Sequence, residues 1–434
     1  MTIFAKMKTV VSVLLSFLFV FQTFASDTLR MMQYNLMYYT LSAPSDCAVS
    51  ETYLANKDIN LKKIVQYVQP DVVCVNEIGS QQNYVNRILN NVFNSDGVTH
   101  FSACPLTNYS GGSIANMLYY DNRKLSFHSH FYITTSYRDI NAYRMYYNAK
   151  ELVQGDTAFI TFFIAHLKAG TGVSNENYRE TQILQLMGRL EQLGRADNYV
   201  LSGDFNLYGA SEKAYQKLLY YPNSLFQFMD PIDREGEWHY NRNYVDIHTQ
   251  STHTYSGEGE CFASGGLDDR FDFILVSSYI FHGLKGVSSI NSSYHALGQD
   301  GKRLKNSIIS PENSAVPQEI ANALYNTSDH LPVILDFEIT ASSSSIASYR
   351  ADYNVETNNP VTDYVKIFFH LDKARELKME LYTMEGKLLE TFTEWLPAGH
   401  TTLTRPFSYS AGLYLLIITD SHHNRLIKKI IKGF

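Results

Sequence analysis

The strongest constraint in this chain is a recurring pair of features: a short apolar run rich in β-branched and aromatic residues, closed by a polar residue able to bind metal or move a proton. Asn35 follows Leu29 to Tyr34, and Glu77 follows Val72 to Asn76. His166 follows Phe159 to Ala165, and Asp204 with Asn206 follows Tyr199 to Gly203. Segments of helical period lie between these runs. Leu61, Ile64, Val65 and Val68 fall on one helical face, and Ile183, Leu186, Met187, Leu190 and Leu193 on another. Helices interleaved with strands predict a layered α/β or α+β domain, and strand ends in such a domain converge on one edge. Four separate elements are thereby expected to deliver Asn, Glu, His and Asp-x-Asn to one place.

Two further segments extend the set. Asp272 interrupts the apolar run Phe271 to Val276, where a buried carboxylate is costly unless it has a partner. Asp329 and His330 stand directly before Leu331 to Leu335. An imidazole needs a partner to fix its tautomer and orient its ring, and Asp272 could serve His330 in that way.

Composition sets the limits. With 434 residues, 45% of them hydrophobic, the chain is too apolar to be disordered and too long for one minimal domain. Its 4 cysteines cannot be the main scaffold. Cys74 lies in an apolar run and reads as a packed thiol. Any two of Cys47, Cys104 and Cys261 could pair after export, and the spacing does not choose among them.

The organisation reads as four segments. Residues 1–25 open with Lys6 and Lys8, continue through an apolar run from Val10 to Phe21, and close on Thr23-Phe24-Ala25. This is the pattern of a secretory signal peptide, since a membrane span needs about 20 apolar residues. No other stretch is apolar enough to cross a bilayer as a helix. Residues 26–340 form the large module, 341–349 a Ser-rich linker, and 350–434 a small all-β sandwich with turn signals at Glu385-Gly386 and Ala398-Gly399. The large module carries 23 basic against 33 acidic groups, so its long-range field opposes a polyanion. That balance excludes a tight, metal-free nucleic-acid binder that tracks a groove.

Met32-Gln33-Tyr34-Asn35, Asn76-Glu77, Ala165-His166-Leu167, Gly203-Asp204-Phe205-Asn206, Asp269-Arg270-Phe271-Asp272-Phe273 and Ser328-Asp329-His330-Leu331-Pro332-Val333 resemble, in order, the motif series of the endonuclease/exonuclease/phosphatase superfamily. One departure is Asn76, where the family pattern usually has Gln before the acid. The resemblance implies a four-layer α/β sandwich, two packed mixed β-sheets flanked by helices, with the site at one edge. It implies Mg²⁺ or Mn²⁺ as cofactor, with Ca²⁺ also compatible, held by Glu77 with Asn35 and Asp329 close by. His166, Asp204, Asn206, Asp272 and His330 are the implied catalytic residues. His330 is the implied general acid/base or phosphate contact, His166 lies on the opposite side, and Asp204 with Asn206 orients water or a second ion. Arg138, Arg144 and His253 are weaker candidates for substrate contact.

The tail segments Asn359 to Asp363, Leu381 to Lys387, Leu396 to Gly399 and Ser410 to Tyr414, with the basic end Lys428 to Lys432, resemble the C-terminal sorting domain read by the type IX secretion system. The implied protein is a monomeric, secreted or surface-attached phosphodiesterase, exported through periplasm and outer membrane, with DNA or RNA as the first expected substrate. A sphingomyelinase-like or other phosphoesterase is the alternative within the superfamily, and a non-catalytic surface binding protein the alternative outside it.

Overall fold

The computed structural model describes residues 26–44, 47–148, 158–257, 260–340, 353–383, 387–420 and 425–433. The expected signal peptide, the Ser-rich linker and the turn at Glu385-Gly386 lie outside the described residues. The first half of the large module runs β1 (Ser26–Tyr39), α1 (Glu51–Val68), β2 (Val72–Gly79), α2 (Gln82–Ile88), β3 (Phe101–Ala103), β4 (Ile114–Asp121), β5 (Leu125–Ile133) and β6 (Ile140–Tyr147). Then come β7 (Phe159–His166), α3 (Val173–Leu193), β8 (Tyr199–Asp204), α4 (Lys213–Leu219), β9 (Phe228–Met229), β10 (Asp272–Ser277), α5 (Ser278–Phe281), β11 (Val287–Ala296), α6 (Gln318–Thr327) and β12 (Val333–Thr340).

These strands form two six-stranded mixed sheets, in the orders β11-β12-β1-β2-β4-β3 and β5-β6-β7-β8-β10-β9. The parallel pairs are β1 with β2 and β7 with β8, each joined by a helix that the crossover requires. Period-two alternation builds the layers. On β7, Phe162 and Ile164 join the core that also holds Met31, Val72 and Leu118 of the first sheet, so they fill the space between the sheets. Phe163 and Ala165 face the other way, onto Ile183, Leu186 and Leu190 of α3. Helices α1 and α6 pack together against the first sheet, and α3 with α4 against the second, which gives four layers.

Helix α1 starts where Ser50 accepts a hydrogen bond from the Tyr53 N–H at 3.2 Å, and ends at Gln69 in left-handed backbone just before Pro70. Its buried face holds Leu61, Ile64, Val65 and Val68 as the period predicts, together with Lys57 and Asp58. The tail adds β13 (Tyr353–Thr357), β14 (Tyr364–Leu371), β15 (Arg375–Thr383), β16 (Leu388–Leu396), β17 (Gly399–Pro406), β18 (Gly412–Asp420) and β19 (Arg425–Lys432). They form sheets of three and four strands around Ile367, Phe369, Leu377, Met379 and Ile418. Among the described residues no helix is long and apolar enough to cross a membrane.

Candidate active site

Three polar residues come into one row on the second sheet. Asp204 ends β8, with His166 at the end of β7 opposite it on one side and Asp272 at the start of β10 opposite it on the other. Strands β7 and β8 approach so closely here that a Cβ on Gly203 would lie 1.7 Å from the Ala165 carbonyl oxygen, and Gly203 has φ +145°. Glycine before Asp204 is therefore a steric requirement.

The first sheet supplies Asn35 and Glu77 from the point where β1 and β2 lose their regular pairing. Met37, Tyr38 and Glu77 have φ of 41°, 46° and 61°, left-handed backbone that costs on the order of 1 kcal/mol or more per residue. The kink turns the Tyr38 N–H onto Glu77 Oε2 at 3.0 Å. Glu77 is the only residue of β2 that is not fully buried, so its carboxylate reaches the surface of the cluster.

The groups converge closely. Donor atoms of Glu77, His166 and Asp204 all lie within 4.8 Å of one another. Asp204 Oδ2 sits between the imidazoles, 3.5 Å from His166 Nε2 and 3.7 Å from His330 Nε2. His330 Nδ1 meets Asp272 Oδ2 at 2.7 Å, the pairing expected from sequence. Asp329 Oδ1 lies 3.9 Å from His330 Nε2, while its other oxygen accepts from the Ala263 N–H at 2.9 Å. Asn35 accepts the Met37 N–H on its side-chain oxygen at 2.8 Å, so its NH₂ donates to Glu77 at 3.1 Å and Asp204 at 3.0 Å. In this arrangement Asn35 orients carboxylates. Asn206, at φ 51°, donates its backbone N–H to Asp204 Oδ1 at 3.0 Å.

Burial sets the proton affinities. It holds His166 well below the usual imidazole range, with Arg138 and His330 adding to the effect. Burial also opposes charge on His330, but Asp272, Asp204 and Asp329 outweigh it and raise the group well above that range. Asp204 is pushed up to about 7, chiefly by burial; Asp272 and Glu77 raise it further, while His330 and Asn35 oppose. One imidazole is thus kept neutral and the other charged, on either side of one carboxyl.

The donor set fits a hard divalent cation. Two carboxylates, Glu77 and Asp204, gather with the His166 imidazole, and Asp329, beside His330, leaves Oδ1 buried without a hydrogen-bond partner. No Cys/His set of the kind that favours zinc is present among the described residues.

The weaker candidates fall in different places. Arg138 is at the site, lining a crevice with Asn108, Asp139 and His166 and donating to the Leu167 carbonyl at 3.3 Å. Arg144 pairs in register with Thr161 of β7, toward the end of the strand remote from His166. Its guanidinium lies 3.6 Å from Asp197 and 4.3 Å from the Phe159 ring, so the structure does not bring it to the cluster. His253 is buried between the rings of Phe262 and Tyr325, with centroids 3.9 and 3.7 Å away, and acts there as a packed ring.

Other residues enter the site that sequence reasoning did not single out. Gln250 donates to Asp329 at 3.3 Å and stands 2.8 Å from His330 Nε2. Asn76 links the two sheets beneath the cluster. It accepts from Gln33 at 2.6 Å and the Asp204 N–H at 3.1 Å, and donates to Asn116 at 2.8 Å and the Ala165 carbonyl at 3.2 Å. Lys57 is buried in α1 and donates to the Leu36 and Met37 carbonyls, both at 2.6 Å, under the strained turn. Burial pushes its ammonium down to about 7, against the pull of Asp329 and Glu77. A disulfide between Cys47 and Cys261 ties the loop after β1 to the loop that holds Asp329, while Cys74 and Cys104 are buried free thiols.

Comparison with known families matches residues 359–433 to the secretion system C-terminal sorting domain, a tail that directs export to the cell surface or extracellular space. No curated protein sequence matches the chain. Among solved structures the neighbours are endonuclease/exonuclease/phosphatase-fold proteins. The protein of that name from Bacteroides vulgatus is 15% identical, with TM-score 0.45, over 72% of this chain and 99% of the other. The human Nocturnin catalytic domain with bound sulfate is 16% identical, with TM-score 0.43, over 73% and 98%. D. rerio TDP2 complexed with single strand DNA product is 14% identical, with TM-score 0.42, over 71% and 98%.

Proposed function

We propose that the large module is a secreted, divalent-metal-dependent phosphodiesterase acting on nucleic acid. The observation that carries this reading is the joint geometry of two groups: the Glu77, His166 and Asp204 donors within 4.8 Å, and the His330–Asp272 pair at 2.7 Å beside them. Phosphodiester hydrolysis needs charge neutralised on the phosphoryl oxygens, a water in line, and help for the leaving oxygen. Mg²⁺ or Mn²⁺, held by Glu77 and Asp204 with Asp329 and His166 beside them, would supply the first of these.

The chain's own residues supply the rest. Asp272 fixes the ring of His330 and keeps it protonated, so Nε2 presents a hydrogen-bond donor to a phosphoryl or leaving oxygen. Asp204 Oδ2, between the His166 and His330 imidazoles, is placed to accept a hydrogen bond from an attacking water. Neutral His166 donates or accepts at Nε2 without adding charge. Asn35 holds Glu77 and Asp204 at a fixed separation, which limits the motion that would spoil alignment. Export would proceed in two steps, by the N-terminal signal to the periplasm and by the tail through the outer membrane.

The test is hydrolysis by the purified full chain of plasmid DNA, RNA, sphingomyelin vesicles and p-nitrophenyl phosphate, with Mg²⁺ or Mn²⁺ and again with EDTA. Metal-dependent cleavage of DNA or RNA is expected. Turnover confined to the lipid or the monoester would overturn the nuclease reading, and activity surviving EDTA would overturn the shared chemistry.

A further inference from the structure

Two tyrosine pairs stand on the same sheet edge as the cluster but outside it. Tyr132, near the end of β5, is opposite Asn141 of β6, which is opposite Ile164 of β7, two residues before His166. It lies two strands from the end of β7, roughly 10 Å along the sheet. Tyr109, from the loop between β3 and β4, stacks on Tyr132 with centroids 4.0 Å apart and planes at 14°. That loop is pinned where the N–H groups of Tyr109 and Ser110 donate to Asp139 Oδ2, next to Arg138. Asn108 and Arg138 line one crevice with His166, so the stack adjoins the catalytic cluster. Beyond Arg138, Tyr137 meets Tyr178 of α3 edge to face at 4.9 Å, and the Lys168 ammonium lies 5.4 Å from the Tyr137 ring.

These rings are open. Tyr109 is 67% exposed although one face is already stacked, and Tyr137 and Tyr178 are 36% and 39% exposed. Rings that cover so little apolar surface contribute little to folding, while a stacked ring with a free outer face can extend the stack to a third ring.

A polynucleotide can be held by charge or by stacking. The large module has 23 basic against 33 acidic groups, so charge opposes the encounter. Stacking needs no net charge and is worth about 1–3 kcal/mol per base. In a duplex the base faces are occupied by neighbouring pairs, and only unpaired bases can reach a protein ring. We propose that Tyr109 on Tyr132, with Tyr137 across Arg138, binds unpaired bases flanking the scissile phosphate, and that the substrate is therefore single-stranded nucleic acid. This names a substrate class for the phosphodiesterase reading and rests on it.

The experiment has a binding arm and a turnover arm, both with the full chain. Fluorescence anisotropy of labelled oligothymidylate, oligouridylate, a matched duplex and a base-free phosphodiester strand, in EDTA, reads stacking without hydrolysis. Single strands are expected to bind more tightly than the duplex or the base-free strand, and Tyr109→Ala to weaken single-strand binding about 5- to 50-fold. Tyr109→Phe keeps the ring and is expected to bind as wild type. In turnover with Mg²⁺, Tyr109→Ala should raise KM on single strands with kcat unchanged, and leave cleavage of the base-free strand as it was. Equal affinity for duplex and single strand, or an unaffected Tyr109→Ala, would overturn the stacking proposal even if hydrolysis is confirmed. Loss of binding to sphingomyelin vesicles in Tyr109→Ala, with oligonucleotides unaffected, would reassign the rings to a membrane surface. Absence of metal-dependent cleavage of all strands would instead overturn the phosphodiesterase reading.

Discussion

Strand β14 of the tail alternates exposed and buried positions from Tyr364 to Leu371, whereas β8 of the large module is buried at every position from Tyr199 to Asp204. A strand with one wet face sends its polar residues to water. A strand covered on both faces has no such outlet, and each polar residue on it must find partners inside. Several buried charges elsewhere among the described residues meet partners of opposite charge. Arg375 pairs with Asp372 and Asp420 in the tail, and Arg270 with Asp230, Arg179 with Glu212 and Arg303 with Asp300 in the large module. The strand-end cluster differs from all of these in gathering like charges, with Glu77, Asp204, Asp272 and Asp329 around two imidazoles. Paired charges are what folding alone retains. A buried cluster of like charges is what a site retains.

The sharpest way to break this contrast is inside the cluster. His330→Ala is expected to lower metal-dependent turnover by roughly 10⁴-fold or more, and Asp272→Asn, which leaves the ring without its orienting carboxylate, by about 10²- to 10⁴-fold. Circular dichroism should show both variants folded. Near wild-type rates in His330→Ala would place the chemistry on another group.

Next in size is Lys57, which connects the helix layer to the site. Lys57→Met removes the donor that holds the Leu36 and Met37 carbonyls, and a 10- to 100-fold loss of Mn²⁺ affinity is expected, of the order seen when groups that orient ligands are changed (about 10- to 100-fold). Its effect on stability has the opposite sign. The folded value of about 7 lies below the unfolded value, so the buried ammonium costs stability at neutral pH, and the thermal midpoint of Lys57→Met should equal or exceed that of wild type. A lowered midpoint with unchanged metal affinity would make Lys57 a structural residue only.

His253 gives a smaller effect, visible in pH dependence. Burial pushes its imidazole down to about 4, below the unfolded value near 6.5. As pH falls through that window the unfolded chain takes up the proton first, so stability is full above the window and is lost towards pH 4. The loss is at most about 3 kcal/mol. His253→Phe keeps a ring between Phe262 and Tyr325 and should flatten the acid limb of urea unfolding free energies, with hydrolysis near wild type. An unchanged limb would assign the acid sensitivity elsewhere. The smallest effect belongs to the tail: Ile367→Asp places a charge in its core and is expected to disrupt the sandwich while leaving hydrolysis by the full chain within about twofold.

Much of the cluster was legible because a polar residue at the border of an apolar run is visible in one dimension: Asn35, Glu77, His166 and Asp204 follow such runs, Asp272 interrupts one, and Asp329 and His330 precede one. The two-sheet architecture followed from interleaved periods together with the motif order. What the sequence hid depends on direction and distance. Arg144 sits in a strand like the others, and nothing in its neighbours says which end of the sheet it faces. His253 looks like a free imidazole until Phe262 and Tyr325 close on it from distant segments. Lys57 looks like any solvated helix lysine, since only the bend at Met37 and Tyr38 gives it a buried partner. Asn76 differs from the family pattern by one residue type, and nothing in its neighbours in sequence shows that it ties the two sheets together under the site.

The proposed chemistry requires that the clustered carboxylates hold a divalent cation. It is tested most directly by isothermal titration of Mn²⁺ into the metal-free full chain and its Glu77→Gln variant, with hydrolysis of a phosphodiester strand followed in the same samples. Saturable binding is expected in the wild type, with its loss in Glu77→Gln and a fall in turnover of more than about 100-fold in parallel. Equal Mn²⁺ binding by the two proteins, or turnover that persists in Glu77→Gln, would contradict it.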